Sequence, residues 1–252
     1  MRRTTTAGML VLVVLGLARL GFAQVSELGF HVYGLGSIPT GSFGATLCDQ
    51  TKMTRRHGFA LGDKIGLAGY GWGSGAELVT PVWFKGLHWI VGGQLIVNRL
   101  DAEPARRTFQ RQLGDSVRLR LEFGHWLNIP VMTGFRYDYY FSPRLAVFGI
   151  LEAGLNISRA PRKTAYVGSI KAEDTDYGFA RDFGYQVGAG VLLNMTYTIS
   201  VRYVNLSTPR YDGTRRLSEK VFPQIATRED SILGEERSIS MVLVTLGVQF
   251  LR

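Results

Sequence analysis

The chain of 252 residues contains one cysteine, Cys48. A single thiol closes no internal disulfide, so the fold is not a cystine framework, and Cys48 reads as a free loop thiol. The four histidines, His31, His57, His88 and His125, are scattered, with neither His-x-His nor His-Glu-x-x-His spacing, so no metal motif is present. Only eight prolines occur, and no Pro-rich linker divides the chain. Acids are the minority: 20 Asp and Glu stand against 29 Lys and Arg, a formal charge of +9. Beyond the first two dozen residues there is no apolar run long enough for a spanning helix, and no helical period. A membrane crossing after that point has to be made by strands.

What is present begins with an export pattern. Arg2 and Arg3 precede the apolar run Met9 to Leu17, and "GFA" (Gly21 to Ala23) puts small residues where a signal peptidase reads. Residues 1–23 are expected to be a signal peptide, cleaved before Gln24. No cysteine follows the apolar run, so a lipid anchor is not expected. Cleavage removes Arg2, Arg3 and Arg19 and no acid, which leaves a charge of +6. Residues 24–252 read as one domain.

The dominant period of that domain is two. In "VRLRLEFGHWLNIPVMTGFRYDYYF" (Val117 to Phe141), apolar and aromatic residues alternate with Arg118, Arg120, Glu122, Trp126, Asn128, Arg136 and Asp138. Similar alternation runs through Leu28 to Tyr33, Trp89 to Asn98, Leu145 to Ser158, Asp182 to Leu193, Ile199 to Tyr203 and Val242 to Phe250. Gly58 to Val82 is strand-like but glycine-heavy, and a bulge is expected there. This gives about eight strands. Three connections are short: "FKGL" beside Trp83, "SPR" (Ser142 to Arg144) and "NMT" (Asn194 to Thr196). Four are long and polar, near residues 39–57, 101–116, 159–181 and 209–236. Long and short alternate, as in a membrane barrel with long extracellular loops and tight periplasmic turns. Val117 to Tyr139 is about twice as long as a crossing needs. The crossing is therefore placed at about Leu127 to Tyr139, with Trp126 near the outer rim and Val117 to Phe123 above the membrane.

A soluble barrel alternates too. Two features favour the membrane. The outer parity is almost free of charge, while Arg118, Arg136, Asp138, Glu152, Gln186 and Arg202 share the other parity. Aromatics also gather beside the short turns, where an interfacial girdle belongs. The segments "WLNIPVMTGFRYDYYFSPRLAVFGILEAGLNIS", "FGYQVGAGVLLN", "ISVRYVNL" and "VLVTLGVQFLR" resemble the small outer-membrane β-barrels of the OmpW, opacity-protein and OmpA-transmembrane-domain group. The resemblance covers most of the mature chain. It implies an all-β, eight-stranded antiparallel up-and-down transmembrane barrel in the outer membrane of a diderm bacterium, among outer-membrane lipids. It also implies that Phe250, in the last strand, is read by the barrel-assembly machinery; in that group the chain usually stops at the aromatic, whereas here Leu251 and Arg252 follow.

The candidate constellations are few. Arg136, Asp138, Glu152, Gln186 and Arg202 form a lumen polar set, either a structural plug or a pore lining, with Arg136 expected to face Glu152 and Gln186 to face Arg202 across tight turns. Arg106, Arg107 and Arg111 form a basic surface loop, read as a solvated loop or as a site for lipopolysaccharide phosphates, anionic glycans or host surfaces. Glu229, Asp230, Glu235 and Glu236 in the fourth long loop argue against nucleic acid as a partner. "GYGWGSG" and "GAG" lie in strand patterns and are not phosphate loops. A lipid-A deacylase would need a serine two residues after His125, where Leu127 stands. No enzyme and no cofactor are expected. The functional expectation is a surface protein whose long loops serve adhesion, immune evasion or the envelope. The alternative is an OmpW-like narrow channel for small hydrophobic molecules.

Overall fold

The computed structural model describes residues 28–44, 67–82, 84–101, 119–168, 170–221 and 224–251. Residues 1–23, Cys48, His57, Trp83 and the basic residues Arg106, Arg107 and Arg111 lie outside the described residues. Thirteen strands are described. They are β1 (Gly29–Pro39), β2 (Ala68–Pro81), β3 (Leu87–Leu100), β4 (Leu119–Phe123), β5 (His125–Ser142), β6 (Leu145–Arg159) and β7 (Lys163–Val167), followed by β8 (Ile170–Tyr177), β9 (Phe179–Leu193), β10 (Tyr197–Asn205), β11 (Arg210–Val221), β12 (Gln224–Glu236) and β13 (Ser240–Leu251).

Eight of them close an antiparallel barrel in the order β1-β13-β10-β9-β6-β5-β3-β2. The short turns are where the spacing predicts them. Leu193 and Thr196 close the third, with Thr196 N–H donating to the Leu193 carbonyl at 3.0 Å. Asn194 and Met195 both take positive φ there, the backbone that matches the twist of a two-residue hairpin. In the second strand the predicted irregularity falls between Ala68 and Gly71, against β3.

Two of the four long connections differ from the expectation of loops. Residues 159–181 contain β7 and β8, and residues 209–236 contain β11 and β12. With β4 they form a second sheet ordered β12-β11-β8-β7-β4. Below them in the barrel lie β13, β10, β9, β6 and β5, in the same order. The second sheet is thus an upward continuation of one side of the wall. A single residue separates the layers in two places: Gly124 between β4 and β5, and Gly178 between β8 and β9. Their N–H groups donate to Arg162 and Asp212 carbonyls at 2.8 and 2.9 Å. This explains why the alternation of Val117 to Phe141 outruns a membrane crossing. Its upper part, β4, pairs with β7 from Leu119↔Val167 to Phe123↔Lys163.

The two layers have opposite surfaces. Outside the barrel, Leu151, Val201 and Leu246 are 61%, 53% and 63% exposed, while Arg136, Glu152 and Arg202 are buried inside. In water this inversion would be unfavourable on both faces. The upper sheet instead presents ion pairs to solvent: Arg162–Asp174, Lys171–Asp174, Arg159–Asp176 and Arg216–Glu229. Hydrogen bonding from Arg162 holds the Asp174 carboxyl below the usual carboxylate range. Exposed pairs like these are screened by water and salt, so they mark a solvated surface more than a source of stability.

Glycines on the lumen face make room for large side chains. A Cβ on Gly75 would stand 2.5 Å from the Tyr33 ring. That ring cannot swing aside, because its hydroxyl donates to Glu77 and its face carries the Arg202 guanidinium at 4.6 Å. Gly75→Ala is expected to destabilise the barrel by about 1–3 kcal/mol through overpacking. Denaturant unfolding measures it, and Tyr33→Leu in the same chain should relieve part of the loss. A neutral Gly75→Ala would mean that the Tyr33 ring does not lie over β2.

Candidate functional site

Period-two alternation puts every second residue of each barrel strand inside, and eight strands leave an interior that side chains can fill. All five residues of the expected lumen set are buried: Arg136, Asp138, Glu152, Gln186 and Arg202. Their partners differ from the expected ones. Arg136 does not pair with Glu152. Its backbone lies opposite Ile150, and Glu152 lies opposite Gly134 on one side and Gln186 on the other. Gln186 donates to Glu152, and not to a partner on β10. Arg202 reaches across the lumen to β2.

The central cluster is built on Glu77. Arg202 donates both Nη groups to its carboxylate, the longer contact being 3.4 Å. Tyr33 Oη donates to Glu77 Oε1 at 2.8 Å, and His31 Nδ1 lies 3.1 Å from Oε2. His31 Nε2 is 2.7 Å from Thr198 Oγ1. Arg202 Nε donates to Ser200 at 3.2 Å, and Ser200 shares a 2.6 Å hydrogen bond with Thr245. Glu152 Oε2 sits 3.8 Å from Arg202, and Gln94 donates to Gln186 at 3.0 Å. The register explains the core of the cluster. His31 and Glu77 are directly opposed on β1 and β2, with Tyr33 one inward position further along β1.

Toward the short turns lies a second cluster. Arg136 Nε donates to Asp138 Oδ1 at 2.6 Å and its Nη1 to Gln249 Oε1 at 2.8 Å. Its guanidinium lies 4.1 Å from the Phe148 ring centroid, and His88 Nε2 stands 3.4 Å from Asp138. The opposite end is closed by aromatics. Trp126 packs edge-on between Phe43, from the one-turn helix Gly41–Gly44, and Tyr211 of β11, at 5.3 and 5.9 Å between ring centroids. Tyr211 shares a 2.7 Å hydrogen bond with Ser158 of β6. Trp126 is therefore at the rim, as expected, but points inward as part of a plug that the upper sheet helps to build.

Chemically the lumen is a set of paired charges. Two guanidinium groups face three carboxyls, with His31 and His88 interleaved. Thr198, His31 and Glu77 have the spacing of a nucleophile, a base and an acid. Thr198 is 2% exposed, however, and Glu77 is already engaged by Arg202, so an acyl substrate has no approach. The basic residues Arg106, Arg107 and Arg111 fall outside the described residues. Phe250 is on the outer face of β13, exposed and opposite Phe30 of β1.

Sequence reasoning missed Glu77, Tyr33, His31 and Gln249 as members of these clusters. Parity marks His31, Tyr33 and Gln249 as inward. Glu77 follows four glycines, which give its segment no apolar–polar alternation to mark a face, and which residue it meets across the lumen depends on strand stagger.

No protein-family model and no curated protein matches the chain. Among solved structures it is similar to Ail, the attachment invasion locus protein of Yersinia pestis, at 8% identity and a TM-score of 0.42, over 90% of this chain and 100% of that one. It is similar to the outer membrane protein OprG of Pseudomonas aeruginosa at 9% identity and a TM-score of 0.40, over 90% and 97%. For Neisserial surface protein A the figures are 9%, 0.33, 88% and 94%. Identities this low leave activity open.

Proposed function

We propose that the chain is an integral outer-membrane barrel of a diderm bacterium, with a sealed lumen and a β-sheet platform that meets ligands outside the cell. The observation that carries this reading is the inverted polarity: apolar side chains are exposed around a closed barrel that buries Glu77–Arg202 and Arg136–Asp138 ion pairs inside. A bilayer is the solvent in which that surface is favourable. The solvated upper sheet belongs on the side of the long connections. The charged lumen clusters and the aromatic plug support a structural core over a pore. Conduction of small hydrophobic molecules, the OmpW-like alternative, would need that plug to part.

In this reading residues 1–23 are the export signal, and the mature chain starts at Gln24. Arg106, Arg107 and Arg111 sit in an extracellular loop, where an anionic host or envelope ligand would be met. Phe250 contributes to recognition by the assembly machinery. No catalytic role is assigned.

The test is fractionation together with surface access. The protein should stay with membranes after a carbonate wash and change gel mobility on boiling. A tag after Pro104 should bind antibody on intact cells, and one after Lys85 should not. Reconstituted in planar bilayers, the wild type should show no steady porin-like current, with or without small apolar solutes. Recovery as a soluble periplasmic protein would sink the membrane reading. A wide steady pore would replace the sealed lumen with a channel.

A further inference from the structure

The outer face of the barrel carries three charged residues among the described ones: Arg99 on β3, Arg159 on β6 and Arg181 on β9. All three stand at the strand ends nearest the upper sheet. Their strands are neighbours, in the order β9-β6-β5-β3, and β5 adds His125 at the same height. The register sets them side by side: Arg99 opposite His125, Arg159 opposite Leu127, and Arg181 opposite Ile157. With strands spaced by about 4.8 Å, the arc spans about 14 Å of wall. The other half of the barrel, β10, β13, β1 and β2, has no outward charge among its described residues.

The arc is partly organised. Arg159 donates to the Tyr177 carbonyl at 3.2 Å and to Asp176 at 3.1 Å, and its guanidinium lies 5.6 Å from the Phe179 ring. Asp176 neutralises that one charge. Arg99 and Arg181 are exposed and have no hydrogen bond or ion pair among the described residues. Below them the wall is apolar, with Leu155 and Phe183 exposed. A ligand for this place needs a phosphate-like anion at the level of the arginines and hydrocarbon directly beneath. Guanidinium groups bind phosphate in a bidentate fork, and their stems lie along apolar surface.

We propose that Arg99, Arg159 and Arg181 form a binding arc for the phosphate headgroups of lipids in the leaflet beside the upper sheet. Arg159 is held in place by that sheet, and Arg99 and Arg181 supply the charge that has no partner among the described residues. The proposal rests on the membrane reading above. It would fix both the depth of the barrel and the side on which lipid packs tightest.

The experiment uses the full mature chain, inserted in phosphatidylcholine vesicles doped with lipid A or with phosphatidylglycerol, then extracted and washed in detergent. The doped lipid retained by the protein is measured. The double variant R99Q/R181Q is compared with K85Q/R144Q, which removes the same charge at the short-turn end. Retention should fall about tenfold for R99Q/R181Q. It should be unchanged for K85Q/R144Q and partly recovered in R99K/R181K. Boiling-dependent gel mobility confirms that each variant is folded. Preferential retention of lipid A would identify a saccharide phosphate as the source, and of phosphatidylglycerol a bilayer phospholipid; either supports the arc. Equal losses in both double variants, no loss in either, or full displacement by inorganic phosphate would overturn it. Failure of the wild type to enter vesicles would instead overturn the membrane reading.

Discussion

Glu77→Ala is expected to lower barrel stability by about 3–5 kcal/mol, the usual range when one partner of a buried pair is removed. Water reaching the lumen would bring the loss toward the lower figure. The reason is the number of groups that converge on this carboxylate. Arg202, Tyr33 and His31 all contact it, and each is 2% exposed or less. Without Glu77 the Arg202 charge keeps only Glu152, 3.8 Å away, and the Tyr33 hydroxyl loses its acceptor. Glu77→Gln should cost less, because the shape and part of the hydrogen bonding remain. The double variant E77A/R202M should cost less than the sum of its singles, since neither charge is then left alone. Equilibrium unfolding in lipid vesicles, followed by gel mobility, gives all four values. Strict additivity would show that Glu77 and Arg202 do not interact.

Trp126→Ala is expected to cost about 3–5 kcal/mol, as large aromatic truncations in packed cores do. The loss should be local as well as large. Trp126 joins a barrel strand to Tyr211 of the upper sheet and to Phe43 of the one-turn helix. Removing it takes from Tyr211 of β11 its ring contact with β5, while the Glu77 and Arg136 clusters keep their partners. Amide exchange should therefore accelerate in β11 and β12 and stay slow in the lower halves of β9 and β10. Trp126→Phe should retain most of the protection. Uniform acceleration throughout the barrel would mean that the plug is part of the barrel core and not a joint between two layers.

Much of this architecture was legible in the sequence because a bilayer imposes a simple rule. Outward residues must be apolar and alternate ones may be charged, so a period of two with one clean parity identifies both the strands and their faces. That is why the short turns, the strand count of the barrel and the burial of Arg136, Asp138, Glu152, Gln186 and Arg202 follow from the residues alone. The rule says nothing where water lies on a face. Segments such as "KAEDTDY" in β8 and "DGTRRLSEK" in β11 carry polar residues on both parities, so they read as loops. They are strands because their neighbours rise from the barrel beside them and offer backbone partners in the same order. Parity also cannot tell which inward residues meet. Glu77 and Arg202 are 125 residues apart, and His31 and Thr198 are 167 apart. Their contacts are set by strand stagger and by the glycines that let Tyr33 and Arg202 lie flat against the wall. Only the closed tertiary structure determines those, since alternation constrains which side a residue faces and leaves its height relative to the opposite wall free.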